Sequence, residues 1–343
     1  MSHREDPATE TVPRMALIGL GSIGISFAAL FLKCSRATVS VYDPRPDLES
    51  HIRSILPVYL DSKDPTLSVD ALISSSRLRI ASSLESACEG ATVVQEQGPE
   101  NLAFKTSVWP RVARVVSSET HLWTSTSGIP ASAQVADLDE GIKARLLVVH
   151  PFNPPHIMPL IEICPSPHTR ADEIAYTVAF FKALQSGHRP VVLKKEVPGF
   201  VGNRLAFALL REACQLVTDG VVSVQDLDTI VEASVGPRWA VTGPFKSYNY
   251  GGGVGGLSAW FRNLSGSVQE VWDHPADVSF EGTVYDSKQQ NQNMAGVPDT
   301  WVDEIVQQTA RAYNLPTTDD LARRDRALKS VLKTVAKETG AED

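Results

Sequence analysis

The chain of 343 residues has only four cysteines, and no two of them form a CxxC pair. This scattered distribution argues against a domain stabilised by disulfide bonds or by structural zinc, and it is typical of proteins in a reducing compartment. No run of about 18 apolar residues occurs, so no membrane-spanning helix is predicted. Residues 1–14 are polar and partly acidic, without the apolar stretch of a signal peptide. We therefore expect a cytoplasmic protein.

An excess of basic residues is also missing. Lys and Arg total 32 against 40 Asp and Glu, which gives a net charge of −8 at pH 7. Proteins that bind nucleic acid usually have a strongly basic surface, and so do many that bind membrane surfaces. The composition therefore predicts neither nucleic acid nor membrane as a partner.

The arrangement of apolar segments predicts two domains, which is also what the chain length suggests. Up to residue 197, short strand-like segments alternate with helix-length segments. This alternation predicts an α/β domain with a doubly wound parallel sheet. Beyond it the strand signals fade and helical patterns dominate. We therefore predict a flexible tail at 1–14, an α/β domain at 15–197, and an all-α C-terminal domain at 198–343.

A glycine-rich turn follows the first predicted strand, at residues 15–19, and opens an apolar helix. It matches GxGxxG, and its candidate cofactor-binding residues are Gly19, Gly21, Ser22, Ile23 and Gly24. In this context the glycines permit a tight turn and close approach of a pyrophosphate to the helix N-terminus. The sequence therefore predicts a Rossmann-type dinucleotide site, the alternative being a glycine turn without a ligand.

The choice of dinucleotide depends on Asp43, which ends the second predicted strand. Its carboxylate would accept hydrogen bonds from both ribose hydroxyls and would repel a 2′-phosphate, so NAD is favoured over NADP. Arg45 is interpreted as lying across the adenine. Residues 251–256 also fit GxGxxG, but no apolar strand precedes them, and we interpret them as a loop.

A histidine and a glutamate stand out as candidate catalytic residues. His150 ends a strictly apolar segment, so it lies at the sheet edge where α/β proteins bind ligands. Glu162 is a lone carboxylate within an apolar segment and needs a partner, for which His150 is the nearest choice. Such a pair suits proton abstraction from an alcohol, although a purely structural pair is the alternative. His156 competes as the base, and the spacing of the three residues predicts no metal site.

These motifs together resemble the 3-hydroxyacyl-CoA dehydrogenase family. They occur in the family's order from residue 15 to about 240 and include the glycine turn, residues 99–105, 125–127, 150–154 and 198–205. The resemblance implies that His150 is the catalytic base and Glu162 its partner. It places Ser127 and Asn203 at the reacting oxygen. It further implies a homodimer formed by the helical domain and three residues around the nicotinamide half of NAD: Glu100, Lys105 and Ser125.

The segments around His150 and Arg238 are more similar to the branch of the family that contains lambda-crystallin (L-gulonate 3-dehydrogenase) and L-carnitine dehydrogenase. Arg238 is expected to bind a free carboxylate, and Trp239 to line the pocket or stack on a cation. An Arg packed at a domain interface is the alternative. Residues 47–76 have few basic side chains for a coenzyme A phosphate.

We therefore predict NAD-dependent oxidation of an L-3-hydroxy acid, or a derivative, to the 3-oxo compound. Two alternatives stay open: a dehydrogenase of CoA thioesters and a non-catalytic, crystallin-like protein that binds NAD(H).

Overall fold

The computed structural model describes residues 12–280 and 300–339. The chain divides into two compact units, Met1–Arg204 and Leu205–Asp343. The predicted boundary at 197/198 lies a few residues before this division. Residues 1–11 of the predicted tail lie outside the described residues, and the first strand already begins at Arg14, the last residue of that tail. In the described ranges, no helix is long and apolar enough to span a membrane.

The first unit is built on an eight-stranded sheet in the order β3-β2-β1-β4-β5-β6-β7-β8, a doubly wound arrangement that confirms the predicted α/β class. All neighbouring strands are parallel except β6 and β7. The strands are β1 (Arg14–Ile18), β2 (Thr38–Tyr42), β3 (Leu78–Ile80), β4 (Val93–Glu96), β5 (His121–Thr124), β6 (Leu146–Pro151), β7 (Leu160–Pro165) and β8 (Arg189–Val192).

Helices cover both faces of this sheet. Between β2 and β3 the chain makes a helical excursion, which includes a short 3₁₀ turn at Pro65–Leu67. The α-helices of the first unit are α1 (Ser22–Cys34), α2 (Leu48–Leu60), α3 (Val69–Ser74), α4 (Leu84–Cys88), α5 (Leu102–Ala113), α6 (Ala131–Gln134), α7 (Glu140–Lys143) and α8 (Ala171–Ala183).

Alternate residues of each central strand supply two apolar layers. Leu17 and Val149 face the layer that includes α1 and α8, whereas Val94 and Val148 face the layer that includes α5. Because side chains alternate along a strand, the polar residues that end the strands are also sorted between the two faces. His150 follows the second face, two residues after Val148.

The antiparallel pairing of β6 and β7 differs from the expected all-parallel sheet. The connection between them, residues 152–159, is shorter than the roughly twelve residues that a parallel crossover needs. The chain therefore turns back directly, and the register sets His150 opposite Glu162. This reversal brings two candidate catalytic residues side by side.

In the described part of the chain beyond residue 204, all regular elements are helical. The segment 251–256, expected to be a loop, instead ends α12, forms a 3₁₀ turn at Gly253–Gly255 and begins α13. The α-helices are α9, which starts at the end of the first unit (Gly202–Thr218), α10 (Val224–Ala233), α11 (Val235–Val241), α12 (Pro244–Gly251), α13 (Gly256–Trp272), α14 (Trp301–Tyr313) and α15 (Thr318–Thr339).

Candidate active site

In the glycine turn between β1 and α1, each of the three glycines is required for a different structural reason. Gly19 has φ +95°, and a β-carbon there would lie 2.9 Å from the Gln97 backbone. A β-carbon at Gly24 would lie 1.9 Å from the Gly19 carbonyl oxygen. Gly21 is the N-cap of α1, and a β-carbon there would have no neighbour within 4 Å. The absence of a side chain at Gly19 and Gly24 thus lets the backbone segments of the turn pack closely. At Gly21 it leaves open space at the N-terminus of α1.

Asp43 lies directly beside this turn. Its Oδ2 accepts a hydrogen bond from the Leu20 backbone N–H at 2.7 Å, and its Oδ1 accepts one from Arg45 N–H at 3.0 Å. The Arg45 side chain pairs with Asp47 at 3.1 Å. Asp43 therefore stabilises the turn itself, and its contact with a ribose, like that of Arg45 with adenine, stays a prediction.

A cleft of about 510 Å³ opens between the turn and the segment after β4. Its lining includes Gly21, Asp43, Gln97, Phe104 and Arg111. The residues fit a dinucleotide, because the open space at Gly21 adjoins the α1 N-terminus, a position that suits a pyrophosphate, and the carboxylate of Asp43 lies beside the turn in the same cleft.

His150 and Glu162 form a buried pair. The Nδ1 atom of His150 lies 2.8 Å from Oε2 of Glu162, and both side chains are at least 95% buried. The ring of His150 is enclosed by Phe152 and Phe200, with centroid distances of 5.9 and 5.3 Å. Because Glu162 binds Nδ1, the other ring nitrogen is directed elsewhere and has no hydrogen-bond partner among the described residues.

The second oxygen of Glu162 is also fully used. Oε1 accepts hydrogen bonds from the backbone N–H groups of Val201 and Gly202, at 3.0 and 2.9 Å. Burial favours a raised pKa for Glu162, but the hydrogen bonds from His150 and the two amides outweigh burial and lower this pKa. Glu162 therefore stays ionised at neutral pH and is able to stabilise a protonated His150.

Ser127 and Asn203 come together in the structure. Asn203 Nδ2 donates to the backbone carbonyl of Ser127 at 3.2 Å. The loop that presents Ser127 is held by Glu100, whose Oε1 accepts from Thr126 Oγ1 (2.6 Å), Ser127 N (3.0 Å) and Gly128 N (2.9 Å). Glu100, expected beside nicotinamide, thus also fixes this loop.

Lys105 is almost fully buried, where its ammonium binds both oxygens of Glu96 at 2.9 and 3.0 Å. It also lies 3.8 Å from Oε2 of Glu100. Glu96, at the end of β4, accepts further bonds from Thr124 Oγ1 and Gly98 N. Sequence reasoning missed Glu96, although a polar residue at the end of a largely apolar strand is the same signal that identified His150.

The remaining predicted residues lie in several places. Ser125 Oγ accepts a hydrogen bond from Gln95 Nε2 at 2.9 Å. The Nδ1 atom of His156 lies 2.7 Å from Ser26 Oγ, and its ring stacks on Tyr59. The histidine that contacts Glu162 is His150. In the second unit, Arg238 and Trp239 are exposed on α11. Of the side chains described, no group of three or more His, Cys, Asp and Glu is arranged for a metal ion.

Comparison with known proteins shows the family to which the chain belongs. The NAD binding domain model of the 3-hydroxyacyl-CoA dehydrogenases matches residues 14–197, and their C-terminal domain model matches residues 199–277. The L-carnitine dehydrogenase of Streptomyces coelicolor is 32% identical over 338 residues, which cover 97% of this chain and 98% of that protein. A 3-hydroxyacyl-CoA dehydrogenase of Gibberella moniliformis is 32% identical over 263 residues, covering 76% of this chain and 80% of that protein.

Among solved structures, the chain is similar to 5-formyl-3-hydroxy-2-methylpyridine 4-carboxylic acid 5-dehydrogenase, described as an NAD⁺-dependent dismutase. The two are 29% identical with a TM-score of 0.71, covering 94% of this chain and 98% of that one. The fold and the comparisons define an NAD-dependent dehydrogenase that oxidises a 3-hydroxy acid or its derivative. The chain belongs to the 3-hydroxyacyl-CoA dehydrogenase family.

Proposed function

We propose that the protein oxidises the hydroxyl of a free L-3-hydroxy acid of the carnitine type, with His150 as the base. The buried His150–Glu162 pair is the observation that carries this proposal. Glu162 fixes the ring through Nδ1, so the proton of the substrate hydroxyl goes to Nε2. The imidazolium that forms is then stabilised by the ionised carboxylate.

The other groups of the proposed site act on the reacting oxygen and on the cofactor. Ser127 and Asn203 hydrogen-bond the oxygen as its proton leaves, which orients the hydroxyl toward His150. When bound, NAD would supply the acceptor for the hydride that leaves the same carbon. Gly19 to Gly24 and Asp43 would hold its adenosine diphosphate half, and Glu100, Lys105 and Ser125 would surround its nicotinamide half.

A free acid is favoured over a CoA thioester by the state of Arg53, one of the two Lys and Arg residues in the helical excursion. Arg53 already pairs with Glu49 at 2.8 Å and with Asp70 at 2.7 Å, so its charge is neutralised within the excursion. The full-length similarity to an L-carnitine dehydrogenase points in the same direction. Arg238 would then bind the substrate carboxylate, and Trp239 would line the pocket or stack on a cationic group.

We also propose that the protein works as a cytoplasmic homodimer joined through its helical unit. The described residues of that unit bury very few apolar side chains: helices α10 to α13 contain no buried residue. An isolated helical domain with so little core is poorly stabilised, and a second copy would cover the exposed apolar faces.

An absorbance assay at the NADH band tests the substrate class. L-carnitine, L-gulonate, L-3-hydroxybutyrate and an L-3-hydroxyacyl-CoA are each offered with NAD and with NADP. We expect turnover of a free acid with NAD. Turnover of the thioester alone would contradict the proposal and favour the CoA branch, and NADH binding without any turnover would favour a non-catalytic role.

The variant His150→Gln tests the base itself. We expect kcat with the best substrate to fall by about 10²-fold or more, because general-base catalysis contributes at least that factor. NADH affinity should stay within about twofold, since His150 is not among the residues proposed to bind the cofactor. Substantial residual turnover would overturn the assignment of the base. His121→Gln, which removes the histidine of a different His–Glu pair, is the matched control.

A further inference from the structure

Gln97 is a polar residue of the cofactor cleft that the proposed mechanism does not use. It directly follows β4, and its backbone N–H donates to the Ile18 carbonyl at 2.8 Å. Its backbone carbonyl lies 2.9 Å from the position of a β-carbon at Gly19, and its Oε1 lies 3.2 Å from that of a β-carbon at Gly24. Gln97 is thus packed against both the first and the third glycine of the turn.

The side-chain amide of Gln97 is unusual because it forms no hydrogen bond with the described residues. Both Oε1 and Nε2 are buried and without a hydrogen-bond partner among the described residues. The residue as a whole is only half-buried, and it lines the cleft together with Gly21 and Asp43. Buried polar groups in folded proteins are nearly always paired, so an unpaired amide beside a ligand cleft calls for a physical explanation.

We propose that the Gln97 amide turns toward the cleft when the cofactor binds and that Nε2 donates a hydrogen bond to its pyrophosphate. The amide lies beside Gly24 in the first turn of α1, whose N-terminus is where a pyrophosphate is expected. Several rotatable bonds allow the side chain to reorient. The hydrogen bond would be charge-assisted, because its acceptor is an anionic phosphate oxygen. The Gln97 amide is neutral and adds no repulsion between like charges.

This inference rests on the proposed cofactor site but not on the identity of the substrate. Binding of NADH is measured without any substrate present. If the proposed substrate class is wrong, the measured NADH affinity is unchanged. Failure of the proposed function and failure of the Gln97 proposal can therefore be distinguished.

The variant Gln97→Met tests the contact, because methionine keeps the length of the side chain and removes both polar atoms. Two quantities are measured: the Kd for NADH by titration calorimetry and the melting temperature without cofactor. We expect Kd to rise about tenfold, as for loss of one hydrogen bond to a charged group. The melting temperature without cofactor should not fall, since the amide has no partner to lose.

Gln134→Met is the matched control. The Gln134 amide is also buried, but it is paired, accepting from Trp109 Nε1 at 3.0 Å and donating to the Ile129 carbonyl at 3.0 Å. We expect this variant to lose thermal stability and to keep its NADH affinity, the reverse of Gln97→Met. Equal NADH affinity of Gln97→Met and the unmodified protein would overturn the proposal.

ADP-ribose identifies which part of the cofactor Gln97 contacts, since it contains the pyrophosphate and lacks nicotinamide. We expect Gln97→Met to weaken ADP-ribose binding by the same factor as NADH binding. A loss confined to NADH would place the contact at the nicotinamide and overturn the assignment to the pyrophosphate. As a second variant, Gln97→Glu should weaken both ligands further, because a carboxylate repels phosphate.

Discussion

At the scale of single residues, two His–Glu pairs of the described first unit have their histidines on strands and differ in their surroundings, with His150 5% and His121 20% exposed. Glu162 binds His150 at the carboxyl end of β6, the edge of the sheet at which α/β proteins bind ligands. Glu173 binds His121 at the opposite, amino end of β5 and also pairs with Arg170. Position at the sheet edge, rather than the pair itself, is what favours catalysis at His150.

Glu162→Gln is expected to lower kcat by about 10²- to 10⁴-fold, because an amide in place of the carboxylate can no longer stabilise the imidazolium. NADH affinity should change little. The measurement is the initial rate at saturating substrate and cofactor. Glu173→Gln is the matched control and should cost stability while leaving kcat within about twofold. Similar rate losses in both variants would contradict a specific role for Glu162.

Acid sensitivity gives a second test of Glu162. Its pKa in the folded protein is lowered, so its ionised form stabilises the fold above the ordinary glutamate pKa. This contribution is lost as the pH falls through the lowered pKa. We expect the melting temperature of Glu162→Gln to decline less between about pH 5 and pH 3 than that of the unmodified protein. Parallel declines would contradict this.

Some residue-level features could be predicted from the sequence because they depend on local pattern. The glycine turn and Asp43 follow a fixed order along one βαβ unit, and His150 and Glu162 interrupt otherwise apolar segments. The pairing of Lys105 with Glu96 and the unpaired amide of Gln97 depend on side-chain packing between elements. No periodicity in the sequence reports such packing.

At the scale of elements, the loop after β5 is held in place by one exposed carboxylate. Glu100 accepts three hydrogen bonds from residues 126–128, and the loop includes Ser127, which Asn203 also contacts. The buried Lys105–Glu96 pair lies under this arrangement. If Ser127 contacts the reacting oxygen as proposed, Glu100 would act on that oxygen through the loop, as a positioning residue.

Glu100→Ala is expected to lower kcat/KM by roughly tenfold, because loss of these bonds lets Ser127 move. Glu100→Gln keeps an acceptor oxygen and should lose less activity. The two variants are compared in steady-state assays against Glu140→Gln, which removes an exposed carboxylate paired only with Lys143 and His168. Activity of Glu100→Ala equal to that of the control would contradict a role for the loop.

Most strands could be predicted because apolar segments of four or more residues alternate with helices. The sequence does not predict strand β3, because three residues, Leu78–Ile80, are too few to establish a period. It does not predict the direction of β7 either, because the hydrophobic pattern is the same in parallel and antiparallel strands. Only the short connection, residues 152–159, hints that the chain reverses there.

At the scale of the whole molecule, the two units differ in how much core they contain. The first unit has apolar layers on both faces of its sheet. In the described part of the second unit, the buried apolar side chains are Cys214, Val217, Ala276 and Val302. Apolar residues repeat along α13 at helical spacing, at positions 257, 261, 264, 268 and 271, without being buried. This stripe suits contact with a second copy.

Sedimentation equilibrium at micromolar concentration is therefore expected to give twice the chain mass of 37.2 kDa. Replacing Phe261 and Leu264 together by Glu should shift the protein toward the monomer and lower its melting temperature, because charges would be buried in an apolar interface. Val58→Glu is the control, since Val58 is an exposed apolar residue of the first unit. A monomer in the unmodified protein would refute the homodimer, whereas a dimer unaffected by the double variant would exclude the α13 stripe as its interface.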